Sequence, residues 1–473
     1  MRFPFSPSRR RLLSWAAVVT LVLTTAEPVR AAMYNSESFT LPNGMLVVVI
    51  PNHRLPVVHH MVWYRVGAAD DPVGKSGLAH FLEHLMFKGT KQVPAGEFSH
   101  IVAQNGGREN AFTMEDTTAY FQTVARDRLE MVMKLEADRM VNLVIAPEQV
   151  DSERAVIIEE RRMRIDNSPA AQLNEQIGAA LFTRNEYGTP TIGWLPEMET
   201  LTRDDALAFY RRHYGPNNAI LIVAGDISMK ELKPLAEKYY GAVKRRDIAP
   251  RQRLVEPEPL AARRVVLTSP RVREPQILRA YLAPAADSGT PGLALQVLED
   301  ILSGGATGRL YKKLVFEDKI AVGAGANYDG DAMKYATLTV SAQPVPGTDV
   351  EKVEQGLDAE IARLVKDGVT DAEVERAKHH LLDSAAIARD SLRRGAYAFG
   401  LALTTGRSIE DVENWPERIQ AVTTADVMAA ARAVLKPERS VTGVLLHGEG
   451  PEPLANGRRP GGPVDDVSRG IVR

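Results

Sequence analysis

The chain has 473 residues, 44% hydrophobic and 25% charged, with 58 Lys plus Arg against 60 Asp plus Glu and no cysteine. Disulfide scaffolds, thiolate metal sites and cysteine nucleophiles are therefore excluded, and the balanced charge describes a globular surface and not a disordered tail or a nucleic-acid binder. At ~100–200 residues per domain the length gives two to four domains.

Residues 1–31 read as an export signal. Arg2, Arg9, Arg10 and Arg11 precede an apolar run from Leu12 to Ala26, and Val29-Arg30-Ala31 offers a small-x-small cleavage site. The run is short for a membrane span, so an uncleaved anchor is the lesser alternative. Ser8-Arg9-Arg10-Arg11-Leu12-Leu13 also has the pattern of a twin-arginine signal. Removing this leader leaves an acidic chain of net charge near −6, with no later stretch apolar for long enough to cross a membrane, and a periplasmic location is expected.

Past the leader, Asn43-Gly44 predicts a two-residue hairpin turn between Ser38–Leu41 and the β-branched run Leu46–Ile50, with another strand over Val57–Val66. A helix is expected from an N-cap at Ser76 to Gly89, and another over Ala95–Gln104. Paired strands follow over Asn110–Ala125, then an amphipathic helix Asp127–Asn142, a charged helix Pro147–Asp166, a buried strand Ala219–Ala224 and a helix Ile227–Tyr240. Lys244–Leu260, with five basic residues and three prolines, breaks all periodicity and reads as a linker. Strands at Arg264–Leu267 and Gln276–Leu282 and a helix Thr290–Leu302 then repeat the earlier order. Gly292-Leu293-Ala294 matches Gly77-Leu78-Ala79, and Leu298-Glu299-Asp300 parallels Leu82-Glu83-His84, a weak internal duplication. This divides the chain into a first half, 36–243, a linker, 244–260, a second half, 261–447, and a Gly/Pro/Arg-rich tail, 448–473, expected to be disordered.

His80-Phe81-Leu82-Glu83-His84 carries the chemistry. On a helix the two imidazoles lie four residues apart on one face and can converge on one metal ion, with Glu83 beside them as a general base for water. The bland alternative is a charged helix face with two solvated histidines. An acid should complete the set, and Glu160 is the candidate; Glu153, two helical turns earlier, shares its face and would hydrogen-bond a ligand histidine, whereas Glu159 points about 100° away to solvent. His59-His60 and His379-His380 are adjacent pairs that diverge and read as packing or surface residues. Gly304-Gly305-Ala306-Thr307-Gly308 lacks the lysine of a phosphate loop, and Asp329-Gly330-Asp331 is too short for a calcium loop.

His80-x-x-Glu83-His84, its flanks Gly77-Leu78-Ala79 and Leu85-Met86-Phe87-Lys88-Gly89-Thr90, and Glu153-Arg154 with Glu160 downstream resemble the pitrilysin-type inverted-motif zinc peptidases, which include the mitochondrial processing peptidase. Gly106-Gly107, Asn110-Ala111-Phe112-Thr113, Tyr120, Tyr210, His213-Tyr214 and Pro216-Asn217-Asn218-Ala219 extend the likeness, which covers about residues 36–445. The resemblance implies an α+β fold of two homologous halves forming a clamshell, with one zinc ion held by His80, His84 and Glu160 in the first half, Glu83 as base and Glu153 behind a ligand. It also implies peptide substrates lying along Asn110, Ala111, Phe112 and Thr113 as an added strand.

One departure stands out. Active relatives carry an arginine and a tyrosine seven residues apart in the second half; the run Gly308–Leu314 matches the family without a gap, and Val315 and Val322 then fill those places. Valine donates no hydrogen bond and carries no charge, so the donor for a developing oxyanion is expected from a paralogous subunit holding that pair, with Tyr311 or Tyr328 as the less favoured replacement. The sequence thus predicts a zinc endopeptidase that works in a heterodimer; the competing reading is a non-catalytic peptide-binding or scaffold subunit.

Overall fold

The computed structural model describes residues 32–286 and 289–448; the leader read at 1–31 and all but the first residue of the tail read at 448–473 lie outside them. Helix accounts for 49% and strand for 21% of the described residues, in an α+β arrangement.

The first sheet contains β1 (Glu37–Thr40), β2 (Leu46–Pro51), β3 (Val57–Tyr64), β4 (Arg108–Thr113), β5 (Thr118–Ala125) and β6 (Ala219–Gly225) in the order β1-β2-β6-β3-β5-β4. Only β2 and β6 run parallel. The hairpin joining β1 to β2 differs from the expected two-residue turn. Thr40 faces Leu46, Gly44 N–H bonds Leu41 O, and the loop is Pro42-Asn43-Gly44 with Gly44 at φ +94°. The reason is Asn43, whose amide turns inward and donates to Tyr240 O and Val243 O at 2.7 and 2.8 Å. Helices α1 (Leu78–Leu85) and α2 (Glu97–Gln104) separate β3 from β4. Between β5 and β6 lie α3 (Leu129–Asn142), α4 (Pro147–Arg161), α5 (Pro169–Leu181), the short α6 (Leu195–Met198) and α7 (Arg203–His213), and α8 (Met229–Tyr239) follows β6. The helix expected to reach Asp166 is α-helical only to Arg161, after which Arg162–Asp166 form a π-helical turn.

The second sheet contains β7 (Arg263–Ser269), β8 (Gln276–Pro284), β9 (Ala321–Asp329), β10 (Tyr335–Pro344) and β11 (Ser440–His447) in the order β7-β11-β8-β10-β9, with only β7 and β11 parallel. Once β1 is set aside, this is the first sheet's order strand for strand. α9 (Thr290–Ser303) occupies the place of α1. Between β10 and β11 lie α10 (Val350–Asp367), α11 (Asp371–Ala388), α12 (Leu392–Thr404), α13 (Ile409–Glu413), α14 (Trp415–Gln420) and α15 (Thr424–Val434).

The central strands of the first sheet are buried on both faces, which is why β6 reads Ala-Ile-Leu-Ile-Val-Ala-Gly without a polar side chain. One face of each sheet packs on helices of its own half. The other face is covered by a helix from the opposite half. Ala396, Phe399 and Ala402 of α12 pack on Val48, Trp63 and Ile222 of the first sheet, and Leu173, Ile177 and Leu181 of α5 pack on Leu278, Val441 and Leu445 of the second. Residues 244–260 form neither helix nor strand, yet they are anchored. Arg253 pairs with Asp70 at 2.8 Å and Asp116 at 2.6 Å, and Glu256 accepts the backbone N–H groups of Thr183, Arg184 and Asn185.

Candidate metal centre and peptide edge

Helix α1 forms because Leu78, Ala79, Phe81, Leu82 and Leu85 all sink into the first core, leaving His80 and His84 on the remaining face. The sequence pointed to Ser76 as the N-cap, but Ser76 does not cap the helix; its Oγ accepts the Trp194 N–H at 2.9 Å. The N-cap position falls on Gly77, at φ +84°, where a Cβ would meet Ile192 O at 2.6 Å. The cap itself comes from a loop: the Asp71 carboxylate accepts the N–H groups of Gly77, Leu78 and Ala79 at 2.8, 3.1 and 2.8 Å.

α4 packs beside α1 and brings Glu160 to the histidines. Its Oε2 lies 3.5 Å from His80 Nε2 and 3.2 Å from His84 Nε2, and the two rings stand 4.7 Å apart. Among the described residues, His80, His84 and Glu160 are the group whose donor atoms, all within 4.8 Å of one another, could hold a metal ion. A tetrahedral zinc site with bonds of about 2.0–2.2 Å separates its ligand atoms by about 3.3–3.6 Å. The observed nitrogen–oxygen separations match that edge, and two imidazoles with one carboxylate are the donors zinc prefers, so the residues fit the ion. Behind them, His84 Nδ1 meets Glu153 Oε1 at 2.9 Å, and Lys88 pairs with Glu153 Oε2. His80 Nδ1 is buried and has no hydrogen-bond partner. Glu159 faces solvent, as expected, and pairs with Arg162.

The environment polarises these groups. Burial lowers His80 to about 4, which keeps its lone pair free at neutral pH. Burial also disfavours the charged form of His84, but its bonds to Glu153 and Glu160 outweigh this and raise it to about 9. Glu160 is held near 2: its partial burial is overcome by the His84 hydrogen bond and by the His80 and Arg164 charges. Glu83 is almost enclosed, and burial raises it to about 7 against the opposing Thr113 bond.

That bond joins the centre to the sheet. Thr113 Oγ1 donates to Glu83 Oε2 at 2.6 Å from the last residue of β4, and β4 is an edge strand, pairing only with β5. Asn110 is exposed on this edge, Ala111 lies against the first core, and Phe112 points the other way, packing on Trp63 and Tyr397 at 5.2 and 5.5 Å. The four residues read as a substrate strand therefore divide: their backbone forms a free edge, Thr113 reaches the candidate base, and the Phe112 ring ties the strand to α12. No sequence signal pointed to the Thr113–Glu83 contact or to Asp71. Lys88 lies within the motif's flank, four residues after His84, a spacing that was readable.

In the second half Val315 packs against the second core and Val322 is exposed. Tyr328 is buried, and its hydroxyl donates to Pro284 O at 2.6 Å, while Tyr311 is exposed.

Residues 46–194 match the model of the insulinase peptidases, family M16, and residues 200–381 match the model of the M16 inactive domain. The zinc protease PqqE of Helicobacter pylori is 31% identical over 374 residues, covering 78% of this chain and 84% of PqqE. The crystal structure of a protease from Helicobacter pylori superposes with a TM-score of 0.81 at 29% identity, over 87% of this chain and 99% of that one. The periplasmic protease PqqL of Escherichia coli shares the fold at 21% identity and a TM-score of 0.74, and this chain spans 47% of its length; against the first half of PqqL alone the coverage is 92%.

Proposed function

Because the chain belongs to the insulinase family of peptidases, family M16, we propose that it is an exported zinc endopeptidase that cleaves unfolded peptides and gains full activity with a paralogous subunit. The observation that carries this reading is the convergence of His80 Nε2, His84 Nε2 and Glu160 Oε2 beside a buried Glu83. These three residues would hold zinc, which when bound supplies Lewis acidity to the scissile carbonyl and to the attacking water. Glu83 takes the water's proton on its carboxylate and hands it to the leaving amine; a group raised to about 7 is suited to both steps near neutral pH. Thr113 fixes the orientation of that carboxylate. An extended peptide pairs its backbone with the open edge of β4, which gives affinity with little side-chain preference.

At positions 315 and 322 this chain has no donor for the oxyanion. Val315 and Val322 offer no donor, and the Tyr328 hydroxyl is already committed to Pro284 O. Relatives supply an arginine and a tyrosine there, and loss of one such donor typically costs about 10²–10³ in rate. PqqL, with two units of this size in one polypeptide, supports the idea that a second like unit faces the first. Its periplasmic location supports the same for this chain, in which no described helix is long and apolar enough to cross a membrane. The two valines equally favour a second reading, a peptide-binding subunit without turnover.

The test uses the mature protein, assayed for zinc content and for cleavage of an extended peptide, alone and with increasing amounts of a paralogue that carries the arginine–tyrosine pair. Zinc near one per chain and a more than additive gain on mixing are expected. Full activity alone with no gain would remove the partner from the mechanism, and no turnover under any condition would favour the binding subunit.

A further inference from the structure

Glu160 turns only one oxygen toward the histidines. Oε2 faces His80 and His84, while Oε1 receives Arg164 Nη2 at 2.8 Å. The backbone arranges this: α4 ends at Arg161 and continues as the π-helical turn Arg162–Asp166, a wide turn of the kind concentrated at functional sites. Three nearby arginines go to three different places. Arg161 is buried and bonds Glu175 and Gly193 O at 2.7 and 2.8 Å, tying α4 to its neighbours. Arg162 pairs with Glu159 in solvent. Arg164 returns to the carboxylate of the donor set. A carboxylate that can swing presents either oxygen, or both, to a metal. A cation fixed on one oxygen leaves the other as the single donor.

We infer that Arg164 is a positioning residue of the metal centre, holding Glu160 as a one-oxygen ligand aimed between His80 and His84. Two of the three donors are then steered from behind, His84 by Glu153 and Glu160 by Arg164, while His80 Nδ1 has no partner. The inference rests on the zinc reading above. The Arg164 side chain is 67% exposed, so its ion pair adds little to folding and its role can be tested without unfolding the protein.

Zinc affinity of the mature chain is measured by chelator competition for wild type, Arg164→Gln, Arg164→Lys and Arg162→Gln, with metal-free thermal unfolding alongside. Arg164→Gln is expected to bind zinc at least about tenfold more weakly. Arg164→Lys should fall between, since an ammonium can still occupy Oε1. Arg162→Gln removes the same charge two residues away and should match wild type, and all four proteins should unfold alike. Wild-type affinity in Arg164→Gln, or an equal loss in Arg162→Gln, overturns the positioning role alone. A wild-type chain that takes up no zinc overturns this inference together with the metal reading beneath it.

Discussion

Glu83 and Glu160 are both carboxylates within one small site, and their surroundings drive them in opposite directions: Glu83 up to about 7 by burial, Glu160 down to about 2 by imidazole and guanidinium partners. This separation suits the proposed roles, Glu83 as proton carrier and Glu160 as a fixed anion. Glu83→Gln should therefore retain zinc and lose peptide hydrolysis by about 10²–10⁴-fold in an assay with the partner present; unimpaired cleavage would remove Glu83 from the reaction. Glu160→Gln should weaken zinc binding in a metal titration, because a neutral amide is a poorer donor, while Glu159→Gln should leave it unchanged. The reverse ranking would move the third ligand by one residue. At this scale the sequence was informative where helical spacing alone sets geometry. The separations of four between the histidines and seven between Glu153 and Glu160 place each pair on one face whatever the tertiary structure. It was silent on Asp71 and Thr113, whose partners are six to thirty residues away and come together only when loop, sheet and helix have packed.

Among the elements, the strands were readable from β-branched runs, and most departures occur at their ends, where a tertiary contact overrides a local signal. Ser76 is a good cap by composition, but it is drawn to Trp194 while Asp71 takes over the helix terminus. His59 and His60 of β3 take the packing role that the sequence reading allowed. Both are buried: His59 Nδ1 meets Thr123 Oγ1, and His60 bridges Gln122 and Tyr240. Burial, with the Arg393 and His60 charges, lowers His59 to about 3 from its ordinary 6.5. Its folded state thus prefers the neutral ring. The associated stability is complete above pH 6.5 and is lost as pH falls toward 3, because the unfolded chain takes up the proton first. This amounts to about 2 kcal/mol between pH 6.5 and 5. Urea unfolding at pH 7 and pH 5 should show His59→Gln losing less stability on acidification than wild type, by that order; identical losses would contradict the assignment.

The whole molecule is held together by trade between its halves. With α12 removed, the first sheet would expose Val48, Trp63 and Ile222, and with α5 removed the second would expose Leu278, Val441 and Leu445. A chain cut after Ile248, within the stretch that forms neither helix nor strand, is therefore expected to stay associated through purification, whereas 32–248 expressed alone should be insoluble. Recovery of either piece as a soluble, cooperatively unfolding protein would show that the exchanged helices matter less than their packing implies. None of this was legible in the sequence, because an amphipathic helix declares that it has an apolar face but not whose sheet that face will meet.

The reciprocal exchange also records how such a chain could arise. A lone ancestral unit of about half this length, with its α5 counterpart reaching outward, could bury the far face of its sheet only by embracing an identical unit whose helix reached back. The present chain has the layout of that two-fold pair fused end to end. The two halves of that layout differ in what matching helices carry: the first has imidazoles on α1 and acids on α4, while the second has Glu299 and Asp300 on α9 and His379 and His380 on α11, with His380 paired to Asp300.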